Sequence, residues 1–150
     1  MPHRTRVRIL PAALALALAV AAPPLAAQEA ADGQRAEVTT AAQALRDRVV
    51  AWRRDIHQNP ELGNRETRTA ALVAAHLRAL GLEPVTGIAT TGVTAVLKVG
   101  RPGPRIELRA DMDALPVTEA TVLPFASTAT STYRGETVGV MHACGHDAHT

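Results

Sequence analysis

The apolar period of the chain changes at Gly81, from helical spacing to strand alternation, and this orders the fold. Before it, Leu45, Val49, Trp52 and Ile56 recur at intervals of four, three and four, one face of a helix. Thr39 or Thr40 is expected to cap that helix, and Asn59-Pro60 to end it, because the residue before proline avoids helical dihedrals. Asn64 is the expected cap of a second helix, with Thr69, Leu72, Val73, His76, Leu77 and Leu80 on its inner face. Gly81 suits the left-handed position just past its end. After Gly81, Glu83 to Thr86 is a short strand candidate. Gly92 to Val99 is a stronger one, with Val93, Ala95, Leu97 and Val99 on one side. Arg101-Pro102-Gly103-Pro104 is a turn, and Arg105 to Ala110 the next strand, with Ile106 and Leu108 inward. Residues 117 to 138 are Thr/Ser-rich and irregular, with one strand expected near Val138. Two helices followed by strands predict an α/β layered domain.

The N-terminus reads as a secretory signal peptide over residues 1–27. Arg4, Arg6 and Arg8 precede a nearly pure Ala/Leu/Val/Ile run from Ile9 to Ala22, and Leu25-Ala26-Ala27 offers small residues for cleavage before Gln28. The run is 14 residues long, short of the roughly 20 that a spanning helix needs. No cysteine stands at the end of the run, over residues 23–28, to carry a lipid. The expected destination is the periplasm or the exterior, with no membrane association once the leader is removed. Residues 28–37 are small and polar and are expected to form a flexible lead-in, with the folded domain running over 38–150.

Charge and aromatic content exclude some partners. The net charge is +2, but without Arg4, Arg6 and Arg8 there remain 13 basic and 14 acidic residues, so no polyanion partner is indicated. Trp52, Phe125 and Tyr133 are the only aromatics of the Phe/Trp/Tyr type, too few for a base-stacking platform, and no nucleic-acid partner is expected. Cys144 is the single cysteine and excludes an internal disulfide.

The chemistry gathers at residues 142–149, His-Ala-Cys-Gly-His-Asp-Ala-His. Three of the six histidines and the only cysteine fall there, and His142, Cys144, His146, Asp147 and His149 could all bind a metal. Thiolate and imidazole are common ligands of zinc and related divalent ions. Gly145, between Cys144 and His146, lets the backbone bend around an ion. A cysteine nucleophile with a histidine base is the rival reading. His76, on an apolar helix face, reads as a core residue, and His57 as a helix-end residue near the C-terminal dipole. Asp111-Met112-Asp113 follows the Arg105–Ala110 strand, where open α/β sheets place their sites. The alternative is that one acid caps a turn, the other is solvated, and Arg109 neutralises them.

These residues resemble a family. Arg53 to Gly63 (RRDIHQNPELG), Thr90 to Leu97 (TTGVTAVL), Arg109 to Pro116 (RADMDALP) and Gly139 to His149 (GVMHACGHDAH) are similar to the dinuclear metallo-amidohydrolases of the zinc-peptidase-like superfamily. That group includes hippurate hydrolases, indole-acetyl-amino-acid hydrolases and related aminoacylases. The resemblance covers residues 45 to 150.

The resemblance implies the first part of a three-layer α/β catalytic domain. A ferredoxin-like lid or dimerisation domain is expected beyond Thr150, with a homodimer possible for the full-length protein. It implies Cys144 and His146 as metal ligands, the thiolate bridging two ions, and Asp113 as a residue orienting a ligand from behind. The remaining ligands and a glutamate general base are expected after Thr150, so no catalytic residue is assigned within the chain. The cofactor implied is a pair of divalent ions, zinc or manganese, with nickel or cobalt also used in the family. The implied reaction is hydrolysis of an amide in N-acyl amino acids or small peptides. The alternative is a truncated metal-binding fragment without turnover.

Overall fold

The computed structural model describes residues 25–150. The expected leader therefore lies, up to residue 24, outside the described residues. The chain divides into two compact units, Met1–Ala41 and Ala42–Thr150.

Helix α1 runs over Leu25–Gln58. The lead-in expected to be irregular at 28–37 is thus helical: Ala, Gln, Glu and Arg are good helix formers, and only Gly33 opposes them. Thr39 and Thr40 do not cap. Their hydroxyls donate to the carbonyls of Arg35 and Ala36, at 2.7 and 2.9 Å, four residues back within the helix. Residues 27–51 are all exposed, so α1 buries a face only near its C-terminal end, where Ile56 and His57 are inaccessible. Among the described residues, no helix is long and apolar enough to cross a membrane.

Helix α2 spans Thr67–Ala79. Glu61 caps it in place of Asn64, which takes a left-handed φ of 62° in the preceding turn. Glu61 Oε1 accepts from the Arg68 backbone N–H at 2.9 Å and Oε2 from that of Thr69 at 2.8 Å. A carboxylate there meets both the unpaired N–H groups and the positive end of the helix dipole. Arg68 in turn pairs with Asp55 of α1 at 2.7 Å. Gly81, at φ 79°, ends α2 as the sequence predicts.

Two antiparallel ribbons follow. Strand β1 (Val85–Ile88) pairs with β2 (Gly92–Thr94), and β3 (Thr130–Tyr133) with β4 (Glu136–Gly139). The second hairpin turns on Arg134-Gly135, both at positive φ, the conformation of a two-residue turn matched to strand twist. Only its β4 arm was expected, near Val138.

The strands expected at Gly92–Val99 and Arg105–Ala110 form only over Gly92–Thr94. Their alternation is present in the sequence, but a strand needs a neighbour to take its backbone hydrogen bonds, and none of the described residues pairs with 95–110. Leu97, Ile106 and Leu108 stand 72%, 85% and 94% exposed.

A small core of Leu62, Ala114 and Val140, with Ala129 against it, joins the distant motifs. An isolated parallel bridge links Leu62 to Ala114, and an antiparallel one links Leu115 to Met141. Leu115 and Met141 exchange both backbone hydrogen bonds, at 2.9 and 3.1 Å. These bridges set the 109–116 segment beside the start of the His142–His149 cluster.

Candidate metal centre

The cluster is shaped by one tight turn. Gly145 takes φ 79°, a left-handed conformation in which a side chain would be strained. Its N–H donates to the His142 carbonyl at 3.2 Å, and a single 3-10 turn, His146–Ala148, follows. Cys144 is an exposed free thiol at the apex.

His146 is held from behind by Asp113. Its Nδ1 lies 2.9 Å from Asp113 Oδ1 and 2.9 Å from the Asp113 backbone oxygen. A ring nitrogen fixed by a carboxylate sets the tautomer and leaves Nε2 to take a cation. His149 stacks on the His146 ring, with centroids 6.0 Å apart. The neighbouring acid is engaged differently: Asp111 Oδ1 accepts from Arg109 Nη2 at 2.8 Å and Nε at 3.2 Å. That hydrogen bond, and then the guanidinium charge, holds the Asp111 carboxyl below its ordinary pKa. Asp113 alone of the pair touches the cluster's histidines.

Behind the turn lies a buried polar group that periodicity does not reveal. Asp147, 3% exposed, turns inward from the 3-10 turn. Its Oδ2 accepts from Arg53 Nε at 3.1 Å and lies 2.9 Å from His57 Nδ1. The opposite His57 nitrogen, Nε2, lies 3.2 Å from Glu119 Oε1. Glu119 is pinned in turn by the Thr121 hydroxyl and the Ser127 backbone N–H. Burial pushes the Glu119 carboxyl up, but Thr121, Ser127 and His57 together outweigh it and hold its pKa below the usual value. His57 is thus a buried link between two carboxylates, more than a helix-end residue. The signal for it is the HxxPE run at 57–61, whose glutamate caps α2 while its histidine reaches Asp147.

His142 is 4% exposed, and neither ring nitrogen has a hydrogen-bond partner among the described residues. Burial lowers its pKa, only partly offset by the charge of Asp147. His76 packs edge-on against Trp52 at 4.7 Å, both rings half-buried, so it lies at the edge of the packed interior and not in the core that was expected for it. Among the described residues, no three His, Cys, Asp or Glu side chains converge as a metal-holding group. Cys144 and His146 supply two soft-to-borderline donors on one turn, a donor set that fits a divalent metal but does not complete its shell.

Residues 108–150 match the Peptidase family M20/M25/M40. The chain is 51% identical over 98 residues to the hippurate hydrolase of Campylobacter jejuni, spanning 65% of this chain and 24% of that protein. It is 43% identical over 102 residues to the N-acyl-L-amino acid amidohydrolase of Geobacillus stearothermophilus, 68% of this chain and 25% of that one. A dinuclear metal-binding M20 peptidase of Bacillus subtilis superposes with a TM-score of 0.60 at 40% identity, covering 70% of this chain and 28% of that one. The chain therefore spans about a quarter of the length of these curated relatives. The four motifs and these comparisons agree: the chain is similar to the peptidase family M20/M25/M40, through the family match at residues 108–150 and through relatives aligned over 65–70% of its length.

Proposed function

We propose that this chain supplies the first two metal ligands, Cys144 and His146, of an exported, metal-dependent amidohydrolase acting on N-acyl amino acids or small peptides. The observation that carries the reading is Asp113 holding His146 Nδ1 twice at 2.9 Å while Cys144 stands exposed two residues away. The substrate class follows relatives that cleave hippurate and N-acyl-L-amino acids.

When bound, a pair of divalent ions would polarise the scissile carbonyl and make a water nucleophilic near neutral pH. The chain's own residues do the placing. Gly145 bends the backbone so that Cys144 and His146 share one turn. Asp113 fixes the His146 ring, and the thiolate of Cys144 selects zinc or another borderline metal over a hard cation such as magnesium. Export is supported by the Arg-rich start, the Ile9–Ala22 run and the small residues before Gln28.

Equilibrium dialysis against zinc or manganese, followed by metal analysis, tests the ligand assignment. Cys144→Ala and His146→Ala are expected to lose bound metal. Cys144→Ser should be nearly as severe, because a serine hydroxyl stays protonated near neutral pH. Full metal content without Cys144 would refute it. N-terminal sequencing of the exported protein tests the leader; a mature chain retaining Arg4 to Arg8 would overturn it.

A further inference from the structure

The Cys144–His146 turn is short and projects an exposed thiol, so something must fix it against the body of the protein. Its one inaccessible carboxylate is Asp147, with a side chain 1% exposed. That side chain reaches not the residues around it but α1, 90 and 94 positions earlier, at His57 and Arg53. His57 is held on its far side by Glu119, whose side chain is fully inaccessible. Edge-on contact with Phe125, at 5.6 Å between centroids, restrains the ring further. A buried carboxylate without such partners is costly, so this chain of contacts strongly favours one position of Asp147, and therefore of its neighbour His146.

We propose that His57 is a positioning residue for the metal-bearing turn: held between Glu119 and Asp147, it fixes the loop that presents Cys144 and His146. Asp113 orients the His146 ring directly, whereas His57 acts on the backbone that carries both ligands. The proposal builds on the assignment of Cys144 and His146 as ligands, but its geometric content concerns the turn itself. Arg53, 46% exposed, is the weaker of the two anchors on Asp147. His57, with one carboxylate on either side, is the stronger.

The test compares His57→Ala, Glu119→Gln and, as a control remote from the turn, His76→Ala. Native-state amide exchange is read at Gly145, Ala148 and His149, whose N–H groups close the turn. Cobalt(II) affinity is read from the thiolate-to-cobalt absorption band. His57→Ala is expected to speed exchange at those three amides beyond any global loss of stability, and to weaken cobalt binding by about 10–100-fold. Glu119→Gln should shift both readouts the same way by less, and it keeps the comparison available if His57→Ala does not fold. His76→Ala should lower stability and leave both unchanged. Unaltered protection of the turn in a folded His57→Ala or Glu119→Gln protein overturns the proposal. If the parent chain shows no thiolate band, the ligand assignment fails, and the exchange result still decides whether His57 holds the turn.

Discussion

Asp113 meets the ring of His146 at Nδ1 with two oxygens, its carboxylate Oδ1 and its backbone carbonyl, each at 2.9 Å. The double contact makes ring orientation partly independent of the side chain. Asp113→Ala is therefore expected to weaken metal binding toward the lower end of the roughly 10–100-fold range for outer-shell partners. Asp113→Asn, which can still present an oxygen, should cost less. Competition against a chromogenic chelator measures both. A tenfold or greater loss in the Asn variant would show that charge, not orientation, is the contribution.

The Glu61 cap gives a separate stability test. Its carboxylate takes the Arg68 and Thr69 backbone N–H groups at the start of α2. Replacing a capping side chain with alanine costs about 0.5–2 kcal/mol, and Glu61→Ala should fall in that range by urea denaturation. Glu61→Gln keeps an acceptor and should retain part of the stabilisation. An unchanged midpoint in the alanine variant would mean the turn at residues 63–66 caps α2 unaided.

The fold is legible in the sequence where local chemistry decides it. The end of α1 at Gln58 and the stop at Gly81 were legible because each is decided locally, by Asn59-Pro60 and by a glycine able to take positive φ. Local sequence points to Asn64 as the cap of α2, and the true cap escapes it because Glu61 reaches forward seven and eight residues, beyond the usual capping offsets. The resemblance points to Asp113 as a residue orienting a ligand but not to which ring it meets; the contact with His146 comes from the structure. His57 against Asp147 was not legible, since a contact across 90 positions leaves no trace in periodicity. The alternation within 95–110 points to strands that do not form among the described residues, because a pattern cannot provide the neighbouring strand that turns it into sheet.

Glu119 predicts an acid limb to stability. Its folded pKa lies below the ordinary value of 4.5, so the unfolded chain binds the proton more tightly. Its contribution is then complete above about pH 4.5 and is lost as pH falls through the folded value. Urea midpoints measured from pH 6 down to pH 3 should decline more steeply in the parent than in Glu119→Gln. Parallel declines would assign the acid sensitivity to other carboxylates.

The 150-residue chain by itself is expected to hydrolyse no amide. A catalytic zinc site typically has three protein ligands and a water, and a second metal needs more. The described residues bring no three candidate ligands together, and Cys144 and His146 are the pair the family motif assigns. His142 is buried, while His149 lies on the surface and stacks on His146, so an adventitious ion at the latter would bind without completing the chemistry. In the body of the fold, Ile106 and Leu108 lie exposed on a segment with strand alternation, and no strand among the described residues pairs with it. Such a segment invites edge-to-edge association, so the chain should also aggregate readily. Expressing residues 28–150, adding zinc or manganese and assaying hippurate and acetyl-amino acids tests this directly. Metal-dependent turnover abolished by Cys144→Ala would show that a working site assembles within this chain or between two copies of it, and that the placement of the remaining ligands outside it is wrong.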